Sequence, residues 1–440
     1  MRIRSVFAGS LLVFALVAAC QTPSNAQLAP DRQTPVAISI SADATAPGEA
    51  VPLHFMGVSF DTGQMINGTF SPSNAGLISI LRDLSPVGSL RIGGTDCNQI
   101  PASARTLELI TNLHAFLGAV GAGWQKNLIY CLNYKADVED TKREVGHIEA
   151  AFGSGETIYQ IGNEPNGYFQ SEADYQSVWD TVHAAVHDAF PAARFGGPDV
   201  SGALSPWLTE FIAATKGKVA LATEHYYTGP PKQGRTSAGL MGSLSYQMGT
   251  APNGVAFVDR RRAAPLPIRM TEINTIQGGG QQGLSDTAIA ANWIILVAAA
   301  LAQNGWQGIN VHGSCKGNWY SPYKCSGTEW WTTPIFAGMK LSARIAGARI
   351  LPVKLNGTKP SSYVRAFAGL TREGAIDFLI GNASVTETLS IDFHQDGSWT
   401  KAFVELAGEM SATDKGSAFA LPRGTPLKLP PGTGALVTLK

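Results

Sequence analysis

The sequence predicts a (β/α)8 barrel followed by a β-sandwich, and three observations carry that prediction. Short apolar strands recur eight times between residues 56 and 313, with helix-like stretches between them. Beyond residue 346 the pattern changes to short alternating strands split by turn pairs such as N-G, E-G, D-G and P-G. A further strand, P-V-A-I-S-I-S, near residues 36–42, precedes the barrel and has no helix of its own. It is expected to join the C-terminal sandwich and so bring the two ends of the chain together.

The eight barrel strands are read at M-G-V-S-F-D (56–61), S-L-R-I-G-G (89–94), N-L-I-Y-C-L-N (127–133) and T-I-Y-Q-I-G-N-E (157–164) in the first half. A-R-F-G-G-P-D (193–199), L-A-T-E-H-Y-Y (221–227), P-I-R-M-T-E-I-N (267–274) and G-I-N-V-H-G (308–313) complete the ring. Helical patterns between them include residues 174–190 and 286–302, and another helix is read at 331–346. A doubly wound nucleotide-binding sheet would also alternate, but no G-x-G-x-x-G follows the first strand and there is no Walker loop. The domain reading is a leader at 1–20, a linker at 21–34, an N-terminal strand region at 35–55, the barrel at 56–346 and the sandwich at 347–440.

The leader has Arg2 and Arg4 before an apolar run from Val6 to Ala19, the form of a secretory signal. Its V-A-A-C ending resembles a bacterial lipobox, which would place a lipid on Cys20; the rival is cleavage near S-N-A at 24–26 with release of a soluble protein. Both routes export the chain to the periplasm, a membrane surface or the medium. An oxidising compartment permits disulfides. Cys315 and Cys325, close together in a loop, are the expected pair, whereas Cys97 and Cys131 either pair across neighbouring barrel ends or stay as buried thiols. The 33 Lys+Arg balance the 33 Asp+Glu, so the chain carries no electrostatic footprint for nucleic acid, and any membrane attachment would run through Cys20.

In such a barrel, polar side chains just past each strand gather at one mouth. Glu164 closes the fourth strand in I-G-N-E-P-N and Glu272 the seventh in M-T-E-I-N, so both carboxyls should meet in one cavity. Hydrolysis of a glycosidic bond with retention needs such a pair, one to protonate the leaving oxygen and one to attack the anomeric carbon, at roughly 5–5.5 Å. The chemistry needs no metal and no organic cofactor. N-E-P after the fourth strand with a glutamate after the seventh is the pattern of clan A glycoside hydrolases.

L-R-I-G-G-T-D (90–96), G-N-E-P-N, E-H-Y-Y and T-E-I-N-x-x-x-G-G-G together resemble glycoside hydrolase family 79, the β-glucuronidase and heparanase family, over the barrel and the tail sandwich. The resemblance implies an acid/base at Glu164, a nucleophile at Glu272 and an Asn163 that holds the sugar 2-hydroxyl. It implies a uronic carboxylate bound by backbone amides of Gly278 and Gly279 and by a loop tyrosine, Tyr320 ahead of Tyr323. Tyr226 would hydrogen-bond the nucleophile, His225 would be either a site residue or a packed strand-end histidine, and Asp61 and Thr95 would contact sugar hydroxyls. Trp319, Trp330 and Trp331 are open to either sugar stacking or plain packing. The substrate implied is a glucuronic-acid-containing saccharide or glucuronide, attacked from its end, because R-R-R at 260–262 is the one compact basic cluster that could read sulfates. A β-glucosidase or β-xylosidase would share both glutamates without needing the glycines and the loop tyrosine. An endo-acting heparanase-like enzyme stands beside these readings, and an inactive carbohydrate-binding lipoprotein would be expected to have lost one of the two glutamates.

Overall fold

The computed structural model describes residues 34–202, 206–230, 234–247, 265–315, 317–357, 364–395, 399–407 and 418–440. The leader, Cys20, the linker up to residue 33 and the R-R-R run at 260–262 lie outside the described residues.

Eight parallel strands close into a barrel: β2 (Met56–Asp61), β3 (Ser89–Gly93), β4 (Leu128–Leu132), β5 (Ile158–Ile161), β6 (Arg194–Ser201), β7 (Leu221–Tyr227), β8 (Ile268–Asn274) and β9 (Gly308–His312). Helices cover the outside, so both faces of each strand are buried and the sequence reads as short apolar runs rather than alternation. The barrel interior is unusually polar, with Arg91, Gln160, Thr223 and Thr271 buried inside. Register shifts mark the β6–β7, β7–β8 and β8–β9 seams, with the extra residues on β6 at Asp199 and on β8 between Met270 and Ile273. Such bulges redirect side chains, here Asp199 on β6 and Thr271 and Glu272 on β8.

β1 (Val36–Ala42) leaves the barrel alone and enters the sandwich, as the sequence leads one to expect. It runs antiparallel to β13 (Val353–Gly357) and parallel to β16 (Leu389–Phe393), which in turn pairs with β19 (Leu427–Leu429). The opposing sheet has six strands in the order β12 (Arg349–Ile350), β14 (Val364–Leu370), β15 (Ile376–Asn382), β20 (Gly434–Leu439), β17 (Lys401–Ala407) and β18 (Phe419–Pro422). Its two faces serve different cores. Phe378, Ile380 and Val437 point to Ile38, Ile40 and Ile391 inside the sandwich, while Phe367, Leu379 and Leu436 join the barrel core.

Packed on the barrel-facing side of that sheet is the helix Ala288–Gln303, apolar all round and buried from Ile289 to Ala302. Glycines let it approach so closely: a Cβ on Gly381 or Gly434 would lie 2.6 Å from Leu296 or 2.5 Å from Ile295. On the next helix, a Cβ on Gly338 would lie 2.2 Å from the Ala291 carbonyl. That next helix runs Pro334–Ala343 rather than 331–346. Proline takes the first turn, where its missing N–H is harmless, and Trp331 and Thr332 belong instead to a hairpin, β10 (Tyr323–Ser326) with β11 (Glu329–Thr332). Cys315 and Cys325 are bonded at the base of that loop, and Cys97 is bonded to Cys131, joining the turn after β3 to β4. Arg105, buried, donates to the carbonyls of both Cys97 and Cys131.

Candidate active site

At the C-terminal mouth of the barrel the organising group is Arg91, on β3 and fully buried. Its Nε donates to Gln160 at 3.0 Å, one terminal nitrogen to Glu272 at 2.7 Å and Ser59 at 3.0 Å, and the other to Asn163 at 2.7 Å and to Asp199. All five donors are used, which only the guanidinium fork can do from one point. Burial alone would disfavour the cation, but Asp199 and Glu272 hold it charged, with a pKa above the ordinary arginine value.

Glu272 therefore sits in a cage of donors. Oε2 takes the Arg91 bond, Oε1 accepts from Tyr227 Oη at 2.6 Å, and His225 and His312 ring nitrogens stand 4.0 and 3.8 Å from Oε2. Burial would raise its pKa; the charges of His312, His225 and Arg91, with the Tyr227 hydrogen bond, lower it well below the usual carboxylate range. Glu164 is different. Its side chain is 28% exposed against 8% for Glu272, and among the described residues its one side-chain hydrogen-bond partner is His225 Nδ1 at 3.0 Å. One oxygen of Glu164, one nitrogen of His225 and one oxygen of Glu272 lie within 4.8 Å of one another. An ion could be spanned by those three, but the Arg91 cation already bonded to Glu272 would repel it.

Asp199 completes the set. Its Oδ1 accepts from Gln160 and Thr271, both at 2.5 Å, and lies 2.9 Å from His225 Nε2. Burial opposes its charge, but Arg91 and His225 push its pKa far down. His225 in turn, despite burial, is raised to about 10 by Asp199 and Glu272, so it is an imidazolium at neutral pH, flanked by Asp199 and Glu164. Glu164 and Asp199 are the two non-glycine residues with positive φ among the described residues, at 48° and 62°, and the Glu164 amide donates to the Asp199 carbonyl at 3.0 Å. Such backbone strain, of about 1–3 kcal/mol per residue, persists where surrounding contacts over-determine it.

The residues singled out from the sequence divide as follows. Glu164, Glu272 and Asn163 converge, and Asn163 is held by Arg91 and by two hydrogen bonds between its backbone and the Asn98 side chain. His225 is a member of the site. Asp61 stands at the rim 3.7 Å from His312, its Oδ1 packed so near Gly94 that a Cβ there would lie 1.8 Å away. Thr95 is exposed at the rim; its neighbour Asp96 is the group whose carboxyl is raised, by burial and by the charge of Asp61. Tyr320 is buried beside Tyr227 and His312, at ring separations of 6.0 and 6.1 Å. Tyr323 instead stacks on Phe60 in the core. Gly278, Gly279 and Gly280 all adopt left-handed φ, and the Gly279 carbonyl accepts from the Trp319 amide at 2.6 Å, tying the glycine run to the Tyr320 loop. Trp330 packs on Tyr323, while Trp319 and Trp331 are 40% and 49% exposed.

One assignment is corrected. The tyrosine on Glu272 is Tyr227, and Tyr226 points out of the barrel, its ring parallel to that of Trp293 at 6.2 Å. On β7 the inward side chains are Thr223, His225 and Tyr227, so the period of two excludes Tyr226. Tyr227→Phe should lower kcat by about 10- to 100-fold, as expected for loss of one aimed donor. Because that donor depresses the Glu272 pKa, the acid limb of the pH–rate profile should move to higher pH. Tyr226→Phe should change kcat less than about twofold on the same argument. Equal losses in both variants would restore Tyr226 to the site. Arg91, Asp199 and His312 were missed by the sequence reading, although Asp199 and His312 stand at strand ends in G-G-P-D and N-V-H-G.

No protein-family model matches this chain, and no curated protein matches it by sequence. Solved structures do match in shape. The GH51 arabinofuranosidase of Xanthomonas axonopodis pv. citri superimposes with a TM-score of 0.69 at 14% identity, covering 92% of this chain and 100% of its own. A 4-O-α-L-rhamnosyl-β-D-glucuronidase of Fusarium oxysporum 12S, in complex with Rha-GlcA, gives 0.66 at 19% identity over 92% and 100%. A monomeric β-xylosidase of Caulobacter crescentus CB15 gives 0.62 at 16% identity over 91% and 99%. This chain has the fold of barrel glycosidases. At these identities the likeness speaks for architecture alone.

Proposed function

We propose that this protein is a retaining glycoside hydrolase that releases β-linked glucuronic acid from the end of a saccharide or glucuronide. The observation that carries the reading is the unequal pair of glutamates within 4.8 Å, one caged by cations and a tyrosine, the other open to the cleft. A carboxylate kept ionised beside the anomeric carbon is a nucleophile, and a more open carboxyl fixed through one oxygen is an acid/base. In the first step Glu164 gives its proton to the glycosidic oxygen as a Glu272 oxygen bonds to C1 and the aglycone leaves. In the second step Glu164 takes a proton from water, the hydroxide oxygen bonds to C1 with the original configuration, and Glu272 departs as carboxylate.

The choice of uronic acid rests on Tyr320 and the glycine run. The amides of Gly278 and Gly279 donate to no described residue, and they lie on the loop bonded to the Tyr320 segment. Successive amides in such a turn form an anion-binding concavity, suited to a sugar carboxylate. The leader with Cys20, lipidated or not, would deliver the enzyme outside the cytoplasm. An assay with aryl β-glucuronide, β-xyloside, β-glucoside and α-arabinofuranoside tests the specificity. The glucuronide should lead in kcat/KM by roughly 100-fold, the scale on which a site built for polar groups rejects an analogue lacking them. A leading xyloside or arabinofuranoside would refute the uronic acid while keeping the two-glutamate chemistry.

A further inference from the structure

Across the mouth from the Tyr320 and glycine loops lies a second constructed feature. The ring of strands runs β2 through β9 in order, so the loops after β4 and β5 stand opposite those after β8 and β9. After β4 comes Tyr134, half-buried, its ring edge so close to Gly162 that a Cβ there would lie 2.7 Å away. After β5 and Glu164, the single turn Pro165–Gly167 leads to Tyr168, 49% exposed. The two rings stand 6.5 Å apart and tilted by 56°, making an open wedge rather than a stack. Lys135 places its ammonium over both, 5.3 Å from the Tyr134 centroid and 5.4 Å from the Tyr168 centroid. The lysine is exposed, and among the described residues no carboxylate pairs with it.

We propose that Tyr134, Lys135 and Tyr168 form the subsite for the leaving group, and that the sugar bound there carries a carboxylate. This subsite rests on the two-glutamate mechanism proposed for Glu164 and Glu272. An acid/base must reach the glycosidic oxygen, so the leaving sugar lies on the side of Glu164, where the wedge begins at Gly162 and ends at Tyr168. Aromatic faces accept the C–H face of a pyranose, and a cation fixed over two π faces but without a counter-ion in the protein leaves its charge for the ligand. The substrate class is thus an acidic oligosaccharide with anionic sugars on both sides of the scissile bond.

The test uses two β-glucuronosyl disaccharides that differ only at C6 of the reducing sugar, CH2OH in one and carboxylate in the other, beside an aryl β-glucuronide. In the wild type the acidic disaccharide should have the higher kcat/KM, and in Lys135→Met the acidic-to-neutral ratio should fall about three- to fivefold, the size of an exposed charge contact. Tyr168→Ala should lower both disaccharides relative to the aryl glucuronide. A wild-type ratio of one or less, or a ratio unmoved in Lys135→Met, overturns the subsite. If the aryl panel shows a glycone other than glucuronic acid, the uronic reading fails by itself. The same acid-against-neutral comparison on that glycone then decides the subsite.

Discussion

Glu272→Gln should hydrolyse an aryl glycoside at least about 10⁴-fold more slowly than the wild type, because an amide cannot form the glycosyl ester on which a retaining pathway depends. Substrate binding should survive, since Arg91 can still donate to the amide oxygen while the Tyr227 hydroxyl turns to accept from the amide NH2. Glu164→Gln should behave otherwise. Loss of the proton donor hurts poor leaving groups most, so an activated aryl glycoside should retain far more activity than an alkyl glycoside or a disaccharide. Rates measured on a series of aglycones of rising pKa separate the two roles. More than a tenth of wild-type activity in Glu272→Gln would remove it from the role of nucleophile.

The second large effect concerns stability. Arg91→Met leaves Asp199 and Glu272 buried without their common cation, and breaking a buried pair by removing one partner costs about 3–5 kcal/mol. The effect should depend on pH in a stated direction. In the wild type both carboxyls have folded-state pKa values below their unfolded ones, so their contribution is present above the ordinary carboxylate range and lost on acidification. Without Arg91, burial weighs more heavily and the same groups shift upward, which favours the protonated folded state. Denaturant unfolding should therefore show the gap between variant and wild type narrowing as the pH falls from 7 toward 4. A constant gap, or none, would mean that Arg91 is not the counter-ion of the pair. Arg91→Lys should rescue little, because one ammonium has three donors where five acceptors wait.

Barrel strands were legible because each is short, apolar and followed by a helical period, and the same logic picked out Glu164 and Glu272 at strand ends. Arg91 was hidden because it stands inside a strand, in S-L-R-I-G, where strand-end reasoning does not look. Its signal is the charge itself: an arginine in the middle of a fully buried strand must be neutralised, so carboxylates have to surround it. Neighbouring strands differ in how well alternation holds. Thr271 and Glu272 both turn inward on β8, which a strict period of two forbids, and the bulge between Met270 and Ile273 that allows it leaves no mark in the residue types. On β7, by contrast, choosing His225 as inward would have led directly to Tyr227. The hairpin at Tyr323–Thr332 escaped because W-T-T resembles the start of the helix that follows it.

β1 is the first described strand to leave the ribosome and among the last to find its partners. The Ala42 amide bonds to the side chain of Gln395, 353 residues further on, and Ile38 and Ile40 pack against strands made later still. At 5–20 residues per second, that separation is a delay of about 20–70 s. Such contacts slow folding and leave an unpaired apolar strand open to other chains. The sandwich is accordingly no appendage that can be trimmed from either end: removing β1 or the last strand would strip one side of the helix Ala288–Gln303 or hollow the core it rests on. Shortened versions of this protein meant for catalysis alone should aggregate during synthesis, whichever end is cut.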